Sequence, residues 1–95
     1  MSIHPSAEIH ATAIVEDGAT IGEGVKIGAY SVIGPDVTLG AGCTVLNHVS
    51  IAGWTTMGEG NRVFPFASLG QPPQDLKFAG ERTLLEIGSD NVVRE

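Results

Sequence analysis

The sequence is short of several things at once. It holds one cysteine, Cys43, so no internal disulfide can form, and no Cys-x-x-Cys spacing offers a metal site. A lone cysteine of this kind reads first as a small buried hydrophobe. Aromatic residues are few (one Trp, one Tyr and three Phe) although apolar residues make up 42% of the chain. The core must therefore be built from Ile, Val, Leu and Ala. Charged residues amount to only 17%, with a formal net charge of −6. That balance argues against binding to the phosphate backbone of nucleic acid. No charged-then-apolar leader pattern is visible, and no apolar run approaches the ~18 residues of a membrane span. The expectation is a soluble, cytoplasmic protein, not a transmembrane one. No G-x-G-x-x-G follows a strand pattern, and neither a P-loop nor G-x-S-x-G occurs.

What the sequence does have is a period of six. Every sixth residue from position 3 is aliphatic or Met: Ile3, Ile9, Val15, Ile21, Ile27, Ile33, Leu39, Val45, Ile51, Met57, Val63 and Leu69. Four residues later comes a smaller residue: Ala7, Ala13, Ala19, Val25, Ser31, Val37, Cys43, Val49, Thr55, Asn61 and Ala67. Gly follows the aliphatic position at 22, 28, 34, 40, 58, 70 and 88. Six is not a helical period, since helical faces recur at about 3.6 residues. It does suit a short strand plus a corner. The large aliphatic then points inward from a flat side, the small residue fits where the interior narrows, and Gly eases the bend. Three such units close one triangular coil of about eighteen residues, and parallel ladders stack the coils. Period alone leaves the hand open.

The pattern lapses after Leu69 and resumes at Ile87-Gly88-Ser89-Asp90-Asn91-Val92. Asp75 and Glu81 fall on the two intervening inward phases, where a charge without a partner is costly. The chain is therefore expected to leave the coil near Gln71 and to rejoin it around Thr83–Leu85, making residues 71–82 an external loop. Insertions in solenoids tend to map to the working face. This one gathers Gln74, Asp75, Lys77 and Phe78, a set suited to a sugar or nucleotide. A solvated insertion without a role is the plainer alternative. The chain stops on pattern, so residues 1–95 read as one β-helix segment, the N-terminal portion of a longer solenoid.

The three histidines, His4, His10 and His48, carry little chemistry at this spacing. His4 and His10 fall on different sides of the triangle, which makes a shared metal ion improbable, and His48 reads as a surface residue. Tyr30 and Trp54 occupy variable, outward phases, where they could pack between subunits or do nothing specific.

The segments Ile21-Gly22-Glu23-Gly24-Val25-Lys26 and Ile27-Gly28-Ala29-Tyr30-Ser31-Val32 resemble the hexapeptide-repeat acyltransferases, whose unit is [LIV]-[GAED]-x-x-[STAV]-x. That resemblance implies an all-β, left-handed parallel β-helix. A closer likeness lies in Ile9-His10-Ala11-Thr12-Ala13-Ile14-Val15-Glu16-Asp17-Gly18-Ala19, in Phe66-Ala67-Ser68-Leu69-Gly70 and in Gln74-Asp75-Leu76-Lys77-Phe78-Ala79-Gly80-Glu81. These are similar to the branch of the family that moves a 3-hydroxyacyl chain from acyl carrier protein to the 3-hydroxyl of UDP-N-acetylglucosamine, opening lipid A synthesis. The resemblance implies a homotrimer; no cofactor and no metal are expected. It places Gln74 and Asp75 at positions contacting the sugar nucleotide and Lys77 at a basic position lining the site. It puts the general-base histidine beyond residue 95, matched by none of His4, His10 or His48, so no catalytic residue is expected in this chain. Two alternatives stand beside it: a non-catalytic structural solenoid, and another hexapeptide enzyme such as the related N-acyltransferase or a carbonic anhydrase.

Overall fold

A computed structural model describes residues 2–70 and 84–94. Among them the strands run β1 Ser2–Ile3, β2 Glu8–Ile9, β3 Ile14–Val15, β4 Thr20–Ile21, β5 Lys26–Ile27, β6 Val32–Ile33 and β7 Thr38–Leu39. They continue as β8 Thr44–Val45, β9 Ser50–Ile51, β10 Trp54–Met57, β11 Arg62–Val63, β12 Ser68–Leu69, β13 Leu84–Ile87 and β14 Val92–Val93. Three parallel sheets result, in the orders β1-β4-β7-β10-β13, β2-β5-β8-β11-β14 and β3-β6-β9-β12. We call them faces A, B and C. Consecutive strands always lie on different faces, so the chain winds around a triangular prism, and the fold is a left-handed parallel β-helix.

The register explains the period. Ser2 pairs with Thr20, Glu8 with Lys26 and Ile14 with Val32, each partner eighteen residues on. Like therefore stacks on like along the axis. In the paired strands of the inner coils, the second residue faces inward and the first outward. Ile21, Ile27, Ile33, Leu39, Val45, Ile51, Met57 and Val63 are all buried. The smaller phase lines the corners from inside, with Ala19, Val25, Val37, Cys43, Val49 and Ala67 in the same core. Fully burying an aliphatic side chain contributes about 1.5–3 kcal/mol, so each added coil contributes several such terms. Ile3 departs from the pattern at 37% exposure. Within the described stack, nothing covers the first coil from outside.

Among the described residues, three polar ones are wholly buried, Ser31, Thr55 and Asn61. Each is satisfied. The Ser31 hydroxyl donates to the Leu46 carbonyl at 2.6 Å and accepts from the Val49 amide. No buried side-chain nitrogen or oxygen among the described residues lacks a partner, as a tightly wound interior requires.

Corners repeat with the coils, and each of the three uses residues at positive φ; between faces C and A these are Gly18, Gly53 and Gly70. Between faces A and B they are Gly24, Gly42, Gly60 and finally Asp90. Between B and C they are Tyr30, His48 and Phe66, at φ of 60°, 55° and 67°. The turned amide donates to the coil before: Gly42 to Glu23 O, Gly60 to Ala41 O, His48 to Ala29 O and Phe66 to His48 O. In the first coil, hydroxyls take over as acceptors, Ser6 Oγ for the Gly24 amide and Thr12 Oγ1 for the Tyr30 amide.

Candidate functional site

The three residues expected to meet substrate, Gln74, Asp75 and Lys77, lie outside the described residues. What is described is the place where the winding changes on either side of them. Face A strands pair at a spacing of eighteen until β10, whose next partner is thirty residues ahead: Trp54 pairs with Leu84 and Met57 with Ile87. On face B the same jump takes Arg62 to Val92. Strands β10 and β13 are also four residues long, where the others have two.

Both approaches to the interruption meet the corner formed by Ala52, Gly53, Trp54 and Thr55. The Leu69 carbonyl accepts the Ala52 amide at 2.9 Å. Gly70 then presses so closely on this corner that a Cβ there would strike the Ala52 carbonyl oxygen and the Thr55 hydroxyl, and its φ is +69°. Only glycine meets both conditions. The Thr55 hydroxyl is in turn locked to the Ala52 carbonyl at 2.7 Å. On the far side, the backbone of Leu84 enters the ladder beside Trp54.

Asn61 joins the returning coil to the one beneath it. Its Nδ2 donates to Gly58 O at 3.0 Å and Gly88 O at 2.6 Å, and its Oδ1 accepts from the Asn91 amide at 2.8 Å. The preceding coils place Val25 and Cys43 in that column. Cys43 is fully buried, its thiol directed at Gly58 O at 3.0 Å, and burial pushes its pKa up. It behaves as the core hydrophobe the sequence suggested.

His4 and His10 sit at separate corners, and each Nδ1 accepts the backbone amide two residues on, from Ser6 and from Thr12. Among the described residues, no three His, Cys, Asp or Glu side chains are grouped to hold a metal. His48 is at the surface, as expected, but not isolated. Its ring lies 5.2 Å from that of Tyr30 and 5.3 Å from that of Phe66. Asn47 Nδ2 is 2.9 Å from its Nδ1. This exposed column escaped the sequence reading, although 30, 48 and 66 share one phase of successive coils and the spacing of eighteen would have revealed it. A groove of about 300 Å³ runs between the column and face C, past Val32, Ser50 and Ser68. A wider one, of about 780 Å³, follows face B along Glu8, Lys26 and Thr44. At the far end of face B, the guanidinium of Arg94 lies 4.6 Å from the Phe64 ring centroid.

Parallel two-residue strands, stacked aliphatics and corner glycines together define a hexapeptide-repeat solenoid. The bacterial transferase hexapeptide (six repeats) family model matches residues 1–35 and 18–53, and the chain belongs to that family. Within it, the chain is 49% identical over 90 residues to the acyl-[acyl-carrier-protein]–UDP-N-acetylglucosamine O-acyltransferase of Rickettsia typhi. That match takes in 95% of this chain and 34% of the relative. A crystal structure of UDP-N-acetylglucosamine acyltransferase superposes with a TM-score of 0.88 at 46% identity, over 93% of this chain and 34% of that one. The structure of LpxA from Acinetobacter baumannii gives 0.87 at 50% identity, over 92% and 34%. The chain thus spans about a third of the length of the relatives it matches.

Proposed function

We propose that this chain is a β-helix portion of an acyltransferase that moves a 3-hydroxyacyl chain from acyl carrier protein to the 3-hydroxyl of UDP-N-acetylglucosamine, the first step of lipid A synthesis. The observation that carries this reading is the 49% identity to the Rickettsia typhi enzyme, sustained along 95% of the chain. Since the chain spans a third of that enzyme, the reaction belongs to the longer protein. In that reaction a general base takes the proton of the sugar hydroxyl, the oxygen attacks the thioester carbonyl, and the carrier thiolate leaves. The base is assigned outside this chain. His4 and His10 support that assignment, because each is engaged by its own turn.

Gln74 and Asp75 are assigned to contacts with the sugar nucleotide, and Lys77 to the lining of the site. An amide and a carboxylate orient sugar hydroxyls through directed hydrogen bonds, and an ammonium balances the diphosphate charge. The protein works as a homotrimer in the cytoplasm. No helix among the described residues is long and apolar enough to cross a membrane. A non-catalytic solenoid, or the N-acyltransferase of the same pathway, would lack this binding of UDP-N-acetylglucosamine.

The test is calorimetric titration of UDP-N-acetylglucosamine into the full-length protein and its Asp75→Ala variant. Loss of one charge-assisted contact, roughly 1.5–3 kcal/mol, should weaken binding at least tenfold while the melting temperature stays put. Normal binding by the variant, or no binding by the parent protein, overturns the assignment. Residues 1–95 alone should form no acylated product.

A further inference from the structure

Charge is not spread evenly around the prism. All three Lys and Arg side chains among the described residues, Lys26, Arg62 and Arg94, stand on face B or directly after its last strand. The corner between faces C and A carries acids instead, Glu16, Asp17 and Asp36, all exposed. Between those two borders lies face C, whose outward residues are Ile14, Val32, Ser50 and Ser68. None of them is charged, whereas the same phase holds Glu86 on face A and Glu8, Lys26 and Arg62 on face B. The edge where face C meets face B bears the column of Tyr30, His48 and Phe66. Among the described residues, six large hydrophobic side chains are exposed, and three of them, Ile14, Tyr30 and Phe66, sit on this one face and edge. An uncharged, aromatic centre with a charged rim is the composition of a protein interface, and contiguous exposed apolar surface marks an interaction site.

The shape of the prism decides what fits there. Neighbouring faces of a triangular prism point a third of a turn apart, so a ring that docks one face on a neighbouring face closes only at six members. An edge points a sixth of a turn from each face beside it. A ring in which the edge of one copy seats on the adjacent face of the next therefore closes at three. We propose that the edge between faces B and C, with its Tyr30–His48–Phe66 column, seats on face C of a second copy of this chain, and that three copies close a ring in this way. With the helix axes parallel to the threefold axis, the uncharged surface turns inward. The face B side of each edge turns outward, onto the acidic corner between faces C and A of the next copy. Lys26 lies about half a coil from Asp17 and half a coil from Asp36 in the winding, on the order of 2.5 Å along the axis each way. Its ammonium is thus level with both carboxylates of the neighbour. The opposite ring, with the edge on face B, would gather the cations of three copies around the axis, which like-charge repulsion opposes. The proposal rests on the homotrimer of the functional reading and deepens it by saying which surface builds it.

The test is the mass of the full-length protein in solution by sedimentation equilibrium. Ile14→Glu with Ser68→Glu places two carboxylates on face C, and Thr20→Glu with Thr56→Glu places two on face A. All four positions are exposed, so neither pair enters the core. The face C pair should reduce the mass to a third, and the face A pair should leave the trimer intact. Lys26→Glu would set a carboxylate against Asp17 and Asp36 of the neighbour and should raise the dissociation constant by roughly tenfold or more. Adding Asp17→Lys and Asp36→Lys should restore the trimer. A face C pair that stays trimeric, equal dissociation by the two pairs, or a monomeric parent overturns the proposal. If circular dichroism shows the face C pair unfolded, the Lys26 variant and its rescue decide, and a failed rescue overturns the proposal. Titration with UDP-N-acetylglucosamine separates the two readings: a trimeric parent that does not bind overturns the functional reading alone, and a monomeric parent that binds overturns the interface alone.

Discussion

Two corners of the same prism solve one backbone problem with opposite chemistry. Between faces A and B, the left-handed residue is glycine in three successive coils, Gly24, Gly42 and Gly60. Between B and C, it is Tyr30, His48 and Phe66. Both sets serve the same bond, an amide turned back to the coil before. Glycine does this without steric cost, whereas an L-residue with a Cβ gives up roughly 1–2 kcal/mol in that conformation. The aromatic corner recovers part of that through ring contacts, each worth about 0.5–1.5 kcal/mol. Tyr30 and Phe66 remain 60% and 64% exposed, so burial contributes little. The glycine corner is thus cheap and featureless, while the aromatic corner accepts strain and carries a surface of distinct shape.

The comparison can be broken by substitution. The largest effect is expected at the glycine corner, from Gly40→Ala, whose Cβ would stand 2.7 Å from the carbonyl carbon and oxygen of Gly58. Coils packed this closely should lose about 2–3 kcal/mol, read as a lowered denaturation midpoint. Next comes His48→Ala, which keeps the strained φ and removes both ring contacts. A loss of about 1–2 kcal/mol is expected, and Tyr30→Ala, which removes one contact, should lose about half as much. If the two variants prove equal, the column is not a stack of independent contacts. Gly42→Ala meets no atom closer than 3.9 Å, so only the positive φ opposes it, at about 1 kcal/mol. A larger loss there would show that the corner tolerates less than its open space suggests.

Cys43, inside the glycine corner, adds a pH test. Its folded pKa is raised by burial above the ordinary 9.0. Stability from the neutral thiol is therefore present below pH 9.0 and is lost as pH rises through the folded value. Cys43→Val should flatten that alkaline slope in chemical denaturation. Smallest of all is the ion pair on face B between the two corners, Lys26 and Glu8, at 4.0 Å with both side chains largely exposed. Glu8→Gln should move stability by less than about 0.5 kcal/mol.

Much of the fold was legible from residue types alone. The aliphatic at every sixth position, from Ile21 through Val63, lies inside, and the small phase lines the corners, because a two-residue strand leaves one inward side chain per turn. Ile3 is on pattern yet partly exposed, since burial depends on having a neighbour and the first described coil has none outside it. The charges at Asp75 and Glu81 marked where the pattern lapses; the expected loop over 71–82 and its substrate residues lie outside the described residues. The flanks of the interruption were less legible. Gly70 looks like any repeat glycine in sequence, and Asn61 looks like one more member of a tolerant small-residue phase. Only their neighbours single them out, the Ala52 carbonyl for one and the Gly88 and Asn91 backbone for the other.

Composition and period determined the core, the corners and the eighteen-residue coil, because a repeat of identical units leaves a one-dimensional pattern that residue types can carry. The tertiary structure decided which residues from different coils become neighbours: Tyr30 with His48 and Phe66, Gly70 with Thr55, Asn61 with Asn91. Those contacts depend on exact stacking along the axis, and at the interruption the stacking offset changes from eighteen to thirty, a quantity that no single hexapeptide contains.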